Sequence, residues 1–367
     1  MKEFIKKEPV LTAAILLAAL SVFIVKPSAA YIDYIDFGVL ILLFCLMLVV
    51  GGLQSIGMFE FLAGYMLKFI KNDRQLYSMM VSLCFFTSML ITNDVALITF
   101  IPFTILLLLN LKKRDKLISL IVLETVAANL GSMLTPIGNP QNLYIYTISE
   151  MSIAKFVKVM LPITVISYVL LLIVIWIITR NNKKIETNME IHKVSDKKRL
   201  LLYAVLFLLC IGAVLHLLNY AVLLWIVLAA VFLSDKNLVM KADYSLLFTF
   251  TAFFIFIGNI QHMELVRSSI QGIIKGNTIL FAVLSSQVIS NVPSAMLLSG
   301  FTNNYSELLL GLNIGGLGTL IASMASLISY RYYVNIQHSD TKRYIGVFTL
   351  TNVFFLVALL TAVPIVR

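Results

Sequence analysis

"LTPIGNPQNLYIY", residues 134–146, lies within an apolar run long enough to cross a bilayer. Yet it holds two prolines, a glycine, two asparagines and a glutamine. Proline removes a helix N–H, and its ring clashes with the preceding turn; glycine in a helix costs about 1 kcal/mol relative to alanine. At membrane depth, every backbone group so freed must be satisfied by protein or by a water-filled cavity. The stretch therefore predicts a purposeful break in a membrane helix.

The rest of the chain supports that reading. It has 367 residues, 60% hydrophobic and 13% charged, with a mean hydropathy of +0.96. Soluble globular chains are about 25% charged. Apolar runs of membrane-spanning length recur from end to end, which predicts an all-α polytopic membrane protein; the alternating segments of a transmembrane barrel are absent. The first run, Val10 to Val25, follows "MKEFIKKEP" like a secretory leader, but many spans follow and it reads as a retained first helix.

The net charge of +10 sits in short loops between spans, so no nucleic-acid partner is expected; the bilayer is the partner. Cys45, Cys84 and Cys210 lie in apolar runs without a C-x-x-C pair, and the four histidines form no H-E-x-x-H. Neither a disulfide framework nor a metal centre is expected. No G-x-S-x-G elbow and no nucleotide-binding motif is present, which disfavours an intramembrane enzyme and an ATP-driven pump. No cofactor is expected beyond H⁺ or Na⁺ as a coupling ion.

Apolar runs and basic loops predict the organisation. A first helix occupies about residues 10–26 within a segment 1–34. A first half, 35–180, holds a helix at 37–56, an amphipathic basic stretch "FEFLAGYMLKFIKNDR", a re-entrant hairpin at 76–110, an interrupted span at 117–148 and a helix at 159–179. A cytoplasmic linker, 181–199, leads to a second half, 200–367. That half has helices at 200–217, 220–233 and 244–261, an amphipathic "MELVRSSIQGIIK", a hairpin at 278–301, an interrupted span at 306–330 and a final helix at 344–366. This topology puts 22 of the 28 Lys and Arg on the cytoplasmic side and only Lys26, Lys155, Lys158, Arg267, Lys275 and Arg367 on the other. It predicts a multi-pass protein of the cytoplasmic membrane.

The halves also match each other. "DFGVL…GGLQ" aligns with "DYSLL…GNIQ", pairing Asp36 with Asp243, Gly51 with Gly258 and Gln54 with Gln261 at one constant interval. "NLGSMLTPIGNPQNLYIY" aligns without a gap to "NIGGLGTLIASMASLISY", pairing Asn129 with Asn313, Gly131 with Gly315, Thr135 with Thr319 and Tyr146 with Tyr330. Between them "ITNDVAL" corresponds to "ISNVPSA", pairing Asn93 with Asn291. The charge-derived topology makes the repeats inverted. Inverted repeats with paired broken helices point to a secondary transporter whose site lies at the repeat interface.

"TNDVALITFIP", "GSMLTPIGNPQNLY", "SNVPSA" and "NIGGLGTLIAS" together resemble the ion transporter superfamily. It contains the arsenite permeases, citrate-transporter-like permeases, sodium/proton antiporters and divalent anion:sodium symporters. The resemblance implies two re-entrant hairpins meeting two unwound helices, cation sites at each hairpin–break pair, substrate between the tips, and a homodimer. The symporter branch carries Ser-Asn-Thr at both tips, where this chain has Thr92-Asn93-Asp94 and Ser290-Asn291-Val292. Those tips look closer to the arsenite-permease and antiporter-like branches.

Candidate residues follow. For a small anionic substrate (citrate, a dicarboxylate, sulfate or arsenite) they are Thr92, Asn93, Thr135, Asn139, Asn142, Ser290, Asn291, Asn313 and Thr319. For the coupling cation or proton they are Asp94, Asn93, Gly138, Asn291, Gly315 and Glu124. Asp94 is the only acid between Asp73 and Asp115, and a carboxylate at membrane depth costs about 2.5–3.5 kcal/mol on insertion scales. Helix capping by Asp94, turn chemistry at the two Asn residues, and close packing at "GGLG" are the structural alternatives. A Na⁺/H⁺ antiporter using Asp94 without an anionic substrate is the alternative function. No Lys or Arg falls in any expected tip or break, so an anion would be held by amides, hydroxyls, helix N-termini and a co-bound cation.

Overall fold

Short polar side chains start the helices. Asp36, Asn72, Asn139 and Asp243 each accept a hydrogen bond from the backbone three residues on, at 2.9–3.0 Å. Each such cap stabilises its helix by about 1 kcal/mol. The computed structural model describes residues 8–366 except 24, 29, 68–69, 186–195, 263–267, 269–270, 273 and 275. Most of the expected linker and the amphipathic "MELVRSSIQGIIK" stretch thus lie outside the described residues.

In chain order the main helices are α1 (Pro9–Ser21), α2 (Phe37–Ser55), α3 (Met58–Leu67), α4 (Asp73–Ile91), α5 (Asn93–Asn110), α6 (Leu117–Ser132), α7 (Pro140–Ser149) and α8 (Ile153–Ile178). There follow α9 (Lys197–Val214), α10 (Tyr220–Asp235), α11 (Tyr244–Gln261), α12 (Thr278–Ile289), α13 (Asn291–Ser299), α14 (Tyr305–Gly315), α15 (Met324–Val334) and α16 (Thr341–Val366). Among the described residues there is no β-strand, and α2, α5, α8, α11 and most of α16 are long and apolar enough to cross a membrane. Large apolar side chains such as Leu208, Trp225, Leu233 and Leu350 point outward, as they do where lipid is the solvent. The protein is an all-α, multi-pass membrane protein.

Two compact groups form the centre. In one, the α4–α5 pair packs on α6; in the other, α12–α13 packs on α14. Glycine permits both contacts. A Cβ on Gly131 would lie 2.0 Å from the Phe85 carbonyl oxygen, and one on Gly315 would lie 2.9–3.0 Å from Ser286 and Val283. Outside them, α9 and α10 pack against α2, and α1 runs along α11.

Several boundaries differ from expectation. α8 begins at Ile153 rather than 159, because Ser152 accepts from Lys155 N and starts the helix among its lysines. α1 ends at Ser21 rather than 26. The basic "FEFLAGYMLKFIKNDR" stretch divides: most forms α3, but Asp73 and Arg74 open α4. Asp73 is fully buried between Lys113 and Lys116, the latter at 2.9 Å. That ion triple ties the start of α4 to the turn after α5. Burying a charged carboxylate is costly, and the two lysines beside Asp73 offset that cost.

Candidate functional site

α4 and α5 meet at Thr92, and α12 and α13 meet at Ser290. Both residues have positive φ, with φ 70° and ψ 147° at Thr92 and φ 74° and ψ 156° at Ser290. Only glycine adopts that region readily, and another residue there costs about 1–3 kcal/mol. Such a conformation persists only where the surroundings impose it. Here they do, twice and in the same way.

Asn93 N donates to the Gly138 carbonyl at 3.0 Å, and Asn291 N donates to the Ala322 carbonyl at 3.0 Å. Thr135 Oγ1 donates to the Met89 carbonyl, and Thr319 Oγ1 donates to the Gln287 carbonyl at 3.0 Å. Each tip is thereby bonded to the irregular segment of its own half. Those segments are residues 133–139, between α6 and α7, and 316–323, between α14 and α15. The opening stretch is a true break, and Pro140 sits at the first turn of α7, where its missing N–H costs nothing.

The two breaks are joined to each other. Asn129 Oδ1 accepts from Asn93 Nδ2 at 3.0 Å and from Ser323 Oγ at 2.9 Å. Asn313 Oδ1 accepts from Asn139 Nδ2 at 3.1 Å, and Asn313 Nδ2 reaches Asn142 Oδ1 at 2.7 Å. Asn129 pairs with Ser323 across the halves as Asn313 pairs with Asn139, and the alignment makes these two pairs equivalent. Asn93, Asn291, Asn129, Asn139, Asn142, Asn313 and Ser323 are all buried. This is a shared, hydrogen-bonded polar centre.

Carbonyls freed by the breaks are met by side chains. Asn142 Nδ2 lies 3.1–3.3 Å from the carbonyls of Ser132, Met133 and Thr135. Gln287 Nε2 donates to the carbonyls of Gly315 and Leu317 at 2.8 and 2.9 Å, while its Oε1 accepts from Thr319 N at 2.9 Å. Thr135, Thr319 and Asn142 thus hold backbone in place. Gln287 does the same and was not among the expected site residues; its only signal was a polar amide inside an apolar run.

Other buried polar atoms have no protein partner. Among those in the described residues, Asp94 Oδ1, Asn129 Nδ2, Ser294 Oγ and Ser326 Oγ lie within a few residues of a tip or break. Ser326 stands where Asn142 stands in the first half. The shorter serine explains why Asn129 Nδ2 lacks the bond that Asn313 Nδ2 makes.

Asp94 faces a cavity of about 210 Å³, bounded by Gln54, Thr92, Asn139 and, from the segment just before α11, Lys241 and Asp243. The sequence placed no basic residue near a tip, whereas the fold brings Lys241 to this cavity. Glu124 is elsewhere: it is fully buried in α6, accepts a hydrogen bond from Thr104 of α5, and does not line this cavity. Gly138 offers its carbonyl to Asn93 N, and Gly315 its carbonyl to Gln287. Among the described residues no group of His, Cys, Asp and Glu is arranged to hold a metal ion.

Comparison with known proteins identifies the family. The citrate transporter (CitMHS) family profile matches residues 4–306. A transporter of Methanocaldococcus jannaschii is 34% identical over 312 residues, covering 84% of each chain. The inner membrane protein YbiR of Escherichia coli is 33% identical over 328 residues, 85% of this chain and 84% of that one. The rice silicon efflux transporter LSI3 is 34% identical over 155 residues, 41% of this chain and 31% of its own. The matching family and two of these relatives are named as transporters, and this protein is a membrane transporter rather than an enzyme. The chain belongs to the CitMHS citrate transporter family of the ion transporter superfamily.

Proposed function

We propose that this transporter carries a small anion, a carboxylate or oxyanion of the citrate, dicarboxylate, sulfate or arsenite type, across the cytoplasmic membrane, coupled to H⁺ or Na⁺. The observation that carries the reading is the matched pair of tip–break junctions around one buried polar centre. Such a centre offers amides, hydroxyls and helix N-termini to an anion, and freed carbonyls to a cation. In this reading residues 35–180 and 200–367 are inverted repeats after a first segment 1–34. Their hairpins are re-entrant, the linker 181–199 is cytoplasmic, and the working unit is a homodimer.

Roles divide by place around this centre and by which atoms are free. Asn93, Asn291, Thr92 and Ser290, with Asn139 and Asn313, frame the solute; Asn129 Nδ2 and Ser326 Oγ supply donors that no protein group occupies. Thr135, Asn142 and Thr319 act through the backbone they hold. Asp94, unpaired and facing the cavity, binds the coupling ion, with Gly138 and Gly315 contributing through carbonyls and Glu124 as a second titratable group. The same free carboxylate supports the second reading, Na⁺/H⁺ antiport without an anion.

Uptake by proteoliposomes of citrate, succinate, sulfate, arsenite and Na⁺, with imposed H⁺ or Na⁺ gradients, tests the proposal. Asp94→Asn keeps size and hydrogen bonding but removes the charge. It is expected to abolish uphill accumulation while leaving downhill exchange within about tenfold of wild type, a difference of about 1.4 kcal/mol. Accumulation unchanged in Asp94→Asn would remove Asp94 from coupling, and Na⁺ flux with no anion uptake would favour the antiporter.

A further inference from the structure

The two acids singled out in the first half face different surroundings. Asp94 opens onto the cavity it shares with Lys241 and Asp243, whereas Glu124 is sealed between helices and borders none of it. The repeat sets the fully buried Leu308 opposite Glu124, so the second half has no counterpart of this acid. Glu124 Oε1 accepts from Thr104 Oγ1 at 2.5 Å, while Oε2 has no protein partner. Asp73, also fully buried, has two lysines to meet its charge; among the described residues no ion pair reaches Glu124. An ionised carboxylate without a cation is costly there, so a purely structural role gives no reason for an acid at this position.

No opposing charge faces Glu124 from the elements around it. The titratable groups within its electrostatic reach are Tyr77 and Cys84 of α4 and Tyr344 of α16. α5 brings only the Thr104 hydroxyl. In the turn before α6, Lys113 and Lys116 are paired with Asp73. On α8, Tyr168 bonds to Ser82, and Lys155 and Lys158 lie in the first two turns. Tyr305 and Glu307 lie in the first turn of α14, and Arg331, Lys342 and Arg343 in the end turns of α15 and α16.

Tyr344 leads outward. Its hydroxyl is buried against Thr125 of α6 and has no protein partner. Its ring stacks on Tyr333 of α15, with 4.7 Å between centroids, and the Tyr330 ring lies on it as well. Tyr333 in turn walls a recess of about 260 Å³ between the turn after α5 and the turn before α16, rimmed by the exposed His338, Asp340 and Arg343. Buried polar atoms are nearly always met, and exceptions mark chemistry. Here two of them, Glu124 Oε2 and Tyr344 Oη, share one neighbourhood a single tyrosine behind a recess.

We propose that Glu124 is a proton-binding group of the transport cycle, loaded through Tyr344 from the recess that Tyr333 walls and not through the cavity that Asp94 faces. The inference rests on the transporter reading above, and deepens it by giving the proton a route of its own. In the sidedness read from the charges, this recess faces the cytoplasm. A tyrosine hydroxyl both donates and accepts, so Tyr344 gives its proton to Glu124 Oε2 as it takes another from the recess side. The added proton turns Glu124 from an acceptor into a donor and so changes its link to Thr104. The two helices joined by that link, α6 and α5, also carry Asn129 and Asn93, whose side chains bond each other in the polar centre. Loading is thereby felt at the site.

Infrared difference spectra of the full chain in proteoliposomes, taken between acid and alkaline buffer, test this without any solute. Asp94→Asn is expected to keep a titrating C=O band of a buried carboxylic acid. Adding Glu124→Gln, which keeps the size and the Thr104 bond, should remove that band, and Glu124→Asp in its place should restore one. Tyr344→Phe keeps the ring stack but lacks the hydroxyl; it should slow the band's response to a sudden pH change at least about tenfold while leaving its end point unchanged. Solute exchange by Asp94→Asn should still vary with pH, and the profile should flatten when Glu124→Gln is added. Absence of any band that depends on Glu124, an unslowed response in Tyr344→Phe, or a pH profile indifferent to Glu124→Gln overturns the proposal. A Glu124 band that titrates through Tyr344 in a protein carrying none of the tested solutes would leave the proton site standing and sink the substrate reading instead.

Discussion

Asn93 and Asn291 show how one residue type serves two demands. The backbone N–H of each fixes its tip to a break, which leaves the side chains for the polar centre. Asn93 Nδ2 meets Asn129 Oδ1, an atom that Ser323 Oγ also reaches, so losing Asn93 does not orphan Asn129 Oδ1. Asn93→Ala and Asn291→Ala are therefore expected to melt within the range of about 1 kcal/mol typical of one neutral hydrogen bond. Transport should nevertheless fall at least about tenfold in each, a loss of about 1.4 kcal/mol. Thermal unfolding in detergent beside initial uptake rates separates the two effects. Normal transport by either variant would make that Asn a turn residue only.

At the scale of helices, the breaks are held by a few side chains. Gln287 of α12 supports two carbonyls and one N–H of the second break. Gln287→Leu keeps the size but leaves those groups unmet, at about 1–3 kcal/mol for each buried group. A clear drop in melting temperature is expected, larger than for either Asn→Ala variant, and an unchanged melting curve would show that the break is held otherwise. Helix contact sets a second limit. Gly131→Ala would drive a methyl into the Phe85 backbone, whereas Gly315→Ala presses chiefly on Ser286 and the Val283 backbone at about the closest tolerated approach. Expression of folded protein should therefore fail for Gly131→Ala and be reduced for Gly315→Ala; equal tolerance of both would mean that α4 and α6 lie further apart than described.

For the whole molecule, the charge pattern and the repeats make a joint prediction about sidedness. The turn at residues 112–116, after α5, and Asn303, after α13, end equivalent helices of the two halves. If the halves are inverted, those turns emerge on opposite sides. Single cysteines at Lys112 and at Asn303 should react with a membrane-impermeant maleimide only from the cytoplasm and only from outside, respectively. Reaction of both from one side would sink the inverted arrangement while leaving the tip–break contacts untouched, because those contacts do not depend on where the bilayer lies.

Sequence alone determined the all-α, multi-pass class, the two interruptions and the correspondence between Asn93 and Asn291. Apolar run length, proline and glycine punctuation and spacing are local properties, and they act before any helix meets another. It also singled out Asp94, because a lone acid in an apolar run is conspicuous without a structure. Only the tertiary structure decided which polar groups are free. Thr135, Thr319 and Asn142, expected as liners, hold backbone; Gln287, which belonged to no motif, closes a break; and Lys241 reaches the Asp94 cavity from the segment before α11. A hydrogen bond needs its partner within about 3 Å, and which partner arrives is set by how distant helices pack rather than by neighbours along the chain.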